Sequence, residues 1–249
     1  MADGLRLVRA ANLLDSVQTD AVEFLDLNNK LAILCVLASE KTAFGLGLGE
    51  NAFPRETIEG LGGFARRYDL RWKMTDQPTK PAQREPGVPV YFVKELDRMS
   101  LMSHAPNVFW LYCEDRVGDR IDSAVEGAED VGHLLGYPDC CVRVNADSEM
   151  AAVRRFFEEF IRQHRPRDQA EAIRLIREDV SVEDHGYFEF ATRNVGRTVE
   201  KFPFVFHTAC DACLKSESSA TRELNERYRA IAEQAGAYFY RRFLEARPS

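Results

Sequence analysis

Apolar residues recur at helical spacing along most of this chain and cluster as strands only in its first half. From Ser16 to Ala38, Val17, Ala21, Phe24, Leu27, Leu31 and Leu34 fall three or four apart, with Asp20 and Glu23 early, which predicts one helix. Ala43–Gly49 (AFGLGLG) reads as a flexible glycine-rich turn, or as backbone packed close to a neighbour. Its spacing matches neither the dinucleotide fingerprint nor the P-loop. Pro54–Tyr68 predicts a second helix, with Pro54 near its first turn. Leu70–Met74, Val88–Val93 and Val108–Cys113 are strand-like in their branched and aromatic content. Thr75–Gly87 holds three prolines and no apolar period, so it reads as a loop, and Glu95–Ser103 as a helix.

The pattern changes after Glu114. Asp122–Leu135 predicts a helix that Gly136 ends and Pro138 cannot continue, which makes Gly136–Cys141 (GYPDCC) a terminating turn. Asp147–His164 is amphipathic, with Met150, Val153, Phe156, Phe157, Phe160 and Ile161 at helical spacing. Gln169–Asp179 follows as another helix, and the YFEFA segment near His185 reads as short helix or strand. Phe202–Phe206 is a compact apolar run, and one long helix is predicted from Cys210 to Leu244. The fold class is therefore mixed α+β. Residues 1–115 form a small α/β region with about three strands. Residues 116–249 form a helical region ending in a long helix, and the two are either separate or one continuous domain.

Composition narrows the classes. The chain has 249 residues, 45% hydrophobic and 29% charged, enough to bury a core without a metal staple. The net charge of -7 argues against a broad nucleic-acid surface. The first residues lack a signal-peptide pattern and the longest apolar run, Leu31–Ala38, is too short to span a bilayer, so no membrane partner and a cytoplasmic location are expected.

In a reducing compartment, paired cysteines point to metal ligation or redox chemistry rather than structural bridges. Cys140 and Cys141 are adjacent, and His207–Cys213 (HTACDAC) adds Cys210 and Cys213 about 70 residues later. Two thiol pairs on separate elements suit zinc or an iron–sulfur cluster. A Cys140–Cys141 disulfide is disfavoured, because neighbouring Cα atoms lie about 3.8 Å apart and disulfides span roughly 4.4–6.8 Å. Side chains of neighbours tend to diverge, which suits a cluster with a different iron for each thiolate, so an iron–sulfur cluster, [4Fe–4S] ahead of [2Fe–2S], is favoured and zinc is the alternative. A dithiol redox site at Cys210 and Cys213 is a further alternative. Cys35 and Cys113, within or ending apolar runs, read as small buried hydrophobes.

His207 completes H-x-x-C-x-x-C and is the candidate proton donor; His133 and Tyr137, beside GYPDCC, are candidates to hydrogen-bond the ligands or the cluster. His185 is a weaker candidate, and His104 and His164 read as surface residues. No Gly-x-Ser-x-Gly or His-Glu-x-x-His motif is present.

GYPDCC after a Gly-His-Leu-Leu helix end, with a late H-x-x-C-x-x-C followed by Ser and a Tyr-containing helix, resembles the prokaryotic group called domain of unknown function 483. The Ala43-Phe44-Gly45 turn and the Val90-Tyr91-Phe92-Val93 strand are also similar to that group. The resemblance covers about Ala43 to Tyr228; it implies a single module and supplies no reaction. Two functions are expected to compete. One is an iron–sulfur enzyme acting on a small-molecule substrate, or serving a redox partner, in a pocket lined by Tyr137 and Phe206. The other is a zinc-stabilised module binding RNA or a protein through Arg154, Arg155, Arg162 and Arg165.

Overall fold

The computed structural model describes residues 2–16, 25–48, 55–79, 85–99, 107–179 and 194–245. Among them are twelve helices and three strands, a mixed α+β fold. The sheet comprises β1 (Ala43–Leu48), β2 (Arg71–Asp76) and β3 (Asn107–Tyr112), in the order β1-β3-β2 with both pairings antiparallel. The central strand explains its own sequence. Phe109 and Leu111 point into the main core, while Val108, Trp110 and Tyr112 pack on α5 (Asp115–Val125) and α6 (Val131–Leu134). A strand covered on both faces needs apolar residues at every position, hence VFWLY without alternation.

Below the sheet lies α2 (Leu27–Leu37), whose residues from Leu31 to Leu37 are all buried. It packs with α1 (Ala2–Ser16), α3 (Arg55–Arg67) and the C-terminal helices α11 (Ala220–Gln234) and α12 (Ala237–Glu245) in one core that also takes in Cys141 and residues from Phe202 to Leu214. A second core joins α4 (Val90–Met99), the C-terminal half of α7 (Asp139–His164) and α8 (Gln169–Asp179). At 26 residues α7 is about 39 Å long. It therefore reaches from one core, through Cys141, to the other, through Phe156 and Phe160. Among the described residues no helix is long and apolar enough to cross a membrane.

Several elements depart from the expectation, each for a local reason. The helix expected over Ser16–Ala38 is broken at Asp26, an extended N-cap whose carboxylate accepts from the Asn29 N–H at 2.7 Å; residues 17–24 lie outside the described set. Ala43–Leu48 is a strand, not a turn. Its glycine serves close approach, since a Cβ at Gly45 would sit 2.8 Å from the Trp110 ring, its cross-strand partner. Val88–Val93 is not a strand. Pro89 accepts from the Phe92 N–H at 2.9 Å and starts α4, and Val88, Phe92, Val93 and Leu96 are buried at helical spacing. The residues of Glu95–Ser103 beyond Met99, His104 and the YFEFA segment near His185 lie outside the described residues.

The helix expected over Asp122–Leu135 is two helices. Gly127 adopts a left-handed φ of 78°, and Asp130 caps α6 by accepting from Gly132 N–H at 2.8 Å. The long C-terminal helix is likewise three: α10 (Asp211–Lys215), α11 and α12. Ser216 is extended, Ser219 caps α11 by accepting from Arg222 N–H, and Gly236 at φ 115° separates α11 from α12. Phe202–Phe206 forms turns that follow α9 (Val195–Lys201), tied by Phe204 N–H to Asn225 Oδ1 at 3.0 Å.

Trp110 is 2% exposed and its Nε1–H donates to Thr75 Oγ1 at 2.9 Å, so its ring has little freedom to retreat from an added methyl. Gly45→Ala is expected to destabilise the fold by about 1–3 kcal/mol, read by urea unfolding. Unchanged stability would show that the ring shifts without cost.

Candidate metal centre and adjoining cleft

The two cysteine motifs meet. Pro138 is the N-cap of α7, so Cys140 and Cys141 lie in the first turn of that helix rather than in a terminating turn. Gly136, at φ 75°, does end the preceding α6 segment as expected, and the chain restarts as helix after only two residues. Cys210 is the N-cap of α10 and Cys213 lies on its first turn, on the shared face expected from their spacing. Ligand atoms of Cys140, Cys141, Cys210 and Cys213 all lie within 4.8 Å of one another. Sγ–Sγ distances are 3.5 Å for Cys140–Cys213, 3.7 Å for Cys141–Cys213 and 4.0 Å for Cys140–Cys141. The neighbouring pair converges because both residues sit on one tight turn aimed at α10. Cys140 is exposed and the other three are buried.

This arrangement is compatible with a metal ion, and of the four thiols it favours the ionised form at Cys213. The first turn of α11 supplies Thr221, so three helix N-termini face the sulfurs, each with free N–H groups and the positive end of its dipole. Cys210 N–H donates to Cys141 Sγ at 3.4 Å, and Thr221 Oγ1 lies 3.4 Å from the same sulfur. Burial pushes the Cys213 thiol up, but hydrogen bonds from Thr221, Cys140 and Cys141 outweigh it and bring it down to about 7. Cys140 and Cys141 are raised, by burial first; a hydrogen bond with Cys213 adds to this at Cys140, while hydrogen bonds from Thr221 and the Cys210 N–H oppose it at Cys141. Four thiolates this close repel one another, and a bound cation removes that penalty.

The remaining cysteines behave as small buried hydrophobes. Cys35 is fully buried in α2, and Cys113, half-buried, donates its S–H to Val36 O at 3.1 Å.

A cleft of about 390 Å³ opens beside the sulfurs, lined by Tyr137, Phe206 and His207 among others. His207 is not among the clustered ligand atoms. Its Nε2 meets Thr221 Oγ1 at 3.1 Å, its ring lies 4.9 Å from that of Tyr137, and its Nδ1 is buried without a partner among the described residues. Burial, and then the charge of Lys41, push His207 down to about 4, so it is neutral near pH 7. Tyr137 donates its O–H to Phe206 O at 3.1 Å, and burial raises its phenol. His133 is partly exposed and faces Asp139, 3.4 Å away, in a separate surface hollow with Arg143 and Asp147. Among the basic residues of the binding-module alternative, Arg154 pairs with Glu85 and Arg162 with Glu159.

Two residues of this region carry no motif. Thr221 bridges Cys141 to His207, and the only sequence hint was Ser219, a capping residue that puts Thr221 on a helix start. Lys41, 5% exposed, lies at the wall of the cleft, its Nζ donating to Leu135 O at 2.9 Å and sitting 4.5 Å from the Tyr137 ring centroid and 5.6 Å from that of Phe206. No carboxylate pairs with it among the described residues, and burial pulls its ammonium down to about 7. Nothing in the local sequence SEKTAF separates it from an exposed lysine.

Comparison with protein-family models, curated proteins and solved structures finds no match to this chain.

Lys41 loses its proton more readily folded than unfolded, so the folded state bears the cost of its charge fully below pH 7 and is relieved of it as pH rises toward 10. Lys41→Met is expected to stabilise the protein at pH 6 by an amount on the order of a few kcal/mol. The gain should shrink steadily between pH 7 and 10, read by denaturant unfolding of both proteins. A gain independent of pH would show that Lys41 is not a strained cation.

Proposed function

We propose that Cys140, Cys141, Cys210 and Cys213 hold a single zinc ion, and that this centre supports a small-molecule site in the cleft beside it. The sulfur spacing carries this reading. Four ligands about 2.3 Å from one tetrahedral ion lie about 3.8 Å from each other; the pairs among Cys140, Cys141 and Cys213 stand at 3.5, 3.7 and 4.0 Å, and Cys210 lies within 4.8 Å of them. The thiolates of a four-iron cluster bind four different irons on its outside and must stand further apart than ligands of one ion. The divergence of neighbouring side chains, which favoured such a cluster from sequence, gives way here to two convergent sulfurs.

A four-thiolate zinc is coordinatively closed, so it has no position for substrate and acts by holding structure. It would join the starts of α7 and α10 and lie against the first turn of α11. The segment it pins carries Phe206, His207 and Thr208 into the cleft wall. Asn145, whose Nδ2–H donates to Thr208 O at 2.7 Å, secures the same segment to α7. Chemistry or binding then falls to cleft side chains, with His207 neutral and Lys41 near its neutral point at physiological pH. The expected pairing of a metal with a pocket lined by Tyr137 and Phe206 is retained in this reading, with zinc in place of iron and sulfide.

Purified protein is expected to be colourless and to hold one zinc per chain by elemental analysis, with a sulfur-only shell at about 2.3 Å by X-ray absorption. Cys210→Ser and Cys213→Ser should lose most of the metal, whereas Cys35→Ser, Cys113→Ser and His207→Ala should keep it. Brown protein holding several irons and sulfide per chain would overturn the zinc assignment in favour of the cluster. Full metal in Cys210→Ser would overturn the site itself.

A further inference from the structure

The cleft has an unusual chemical balance. Among the described residues that line it none is acidic, one is a buried lysine, and most are apolar or aromatic. Lys41 Nζ spends one donor on Leu135 O and rests against Tyr137 and Phe206. An ammonium has three donors, so two have no protein acceptor among the described residues. A buried cation without a counter-charge is costly, and it is retained where something else supplies the anion. At about 390 Å³ the cleft is of a size for a small organic ligand.

His207 adds a second constraint. If Cys141 is a metal-bound thiolate, its sulfur can only accept a hydrogen bond. Thr221 Oγ1, 3.4 Å away, then donates to it. The same hydroxyl oxygen, 3.1 Å from His207 Nε2, is left to accept, so His207 carries its proton on Nε2. Nδ1, the buried atom without a partner, is then a bare acceptor. The ring it belongs to lies on Tyr137, as Lys41 does.

We propose that the cleft binds a small carboxylic acid with an apolar body and a hydroxyl group, its carboxylate on Lys41 Nζ and its hydroxyl donating to His207 Nδ1. The apolar body would lie along Phe44, Val199, Val205 and Phe206. The hydroxyl contact rests on the zinc-thiolate reading, because that sets the tautomer; the carboxylate contact does not. Tyr137, held by its O–H on Phe206 O, is the positioning residue that keeps both polar groups in place.

Three commercial probes separate these contacts: 3-phenyllactate, 3-phenylpropanoate, which lacks the hydroxyl, and 2-phenylethanol, which lacks the carboxylate. Binding to the full chain is measured by calorimetry or ligand-observed NMR, with zinc content determined on the same sample. Phenyllactate is expected to bind with Kd of about 1 mM or tighter, and the other two about tenfold or more weakly. Lys41→Met should weaken phenyllactate about tenfold while leaving zinc content and the circular dichroism spectrum unchanged. His207→Ala should reduce phenyllactate to the affinity of phenylpropanoate. Phenylethanol binding as tightly as phenyllactate, full affinity in Lys41→Met, or no binding by zinc-replete protein would each overturn the proposal. Zinc-free protein that still requires Lys41 for phenyllactate would sink the zinc reading and leave the carboxylate site standing.

Discussion

Everything distinctive about this protein depends on the meeting of helix starts at four sulfurs. Helix N-termini repel one another weakly, since each presents unpaired N–H groups and partial positive charge. Bringing α7, α10 and α11 start-to-start becomes favourable when negative charge sits between them, and Cys213, whose thiol is pulled down to about 7, is the group placed to supply it. A cation held by these sulfurs, as proposed above, would complete an alternation of charge from dipole ends to sulfur to metal. The same junction buries Cys141, Cys210 and Cys213 in the main apolar core, so the packing of α2, α11 and α12 is built directly onto it.

The cleft inherits its shape from that junction. Residues from Phe202 to Ala209 are irregular chain crossing the interior, and such a segment needs a partner for each buried backbone group. Asn225 accepts from Phe204 N–H, Thr198 Oγ1 accepts from Ala209 N–H, Asn145 donates to Thr208 O and Tyr137 to Phe206 O. Side chains from α9, α7, α11 and the loop before α7 thus hold one strand of coil in place, and Cys210 anchors its end. Against this wall the opposite side of the cleft is contributed by α2 and β1, including Lys41 on the link between them. A buried lysine lowers stability, so its presence in the wall of an otherwise well-packed core marks the cleft as the place where this fold departs from simple packing.

Much of the fold was legible in the chain because local patterns express local rules. Helical spacing placed α3 and α8, the uninterrupted VFWLYC run placed β3, and the Cys210–Cys213 spacing put two thiols on one helix face. The boundaries that went astray share a cause: apolar periodicity continues smoothly through breaks made by single residues. Asp26, Gly127, Ser219 and Gly236 end or start helices inside stretches that stay apolar enough to read as one. Ala43–Leu48 and Val88–Val93 exchanged roles for a different reason. A glycine-rich segment became a strand because Trp110 needed the space over Gly45, and a branched, aromatic segment became a helix because α7 and α8 offered it a helical groove.

By itself the sequence singled out four cysteines in two motifs as the candidate metal ligands, since only a few residue types ligate soft metals and their spacing is written in the chain. Tertiary structure alone decided that those sulfurs converge, with all four ligand atoms within 4.8 Å of one another. It alone decided that Thr221 links Cys141 to His207, and that Lys41 is buried without a carboxylate among the described residues. Distances and dielectric surroundings are properties of elements brought together from remote parts of the chain, 94 residues apart for Lys41 and Leu135. No local pattern of residues encodes them.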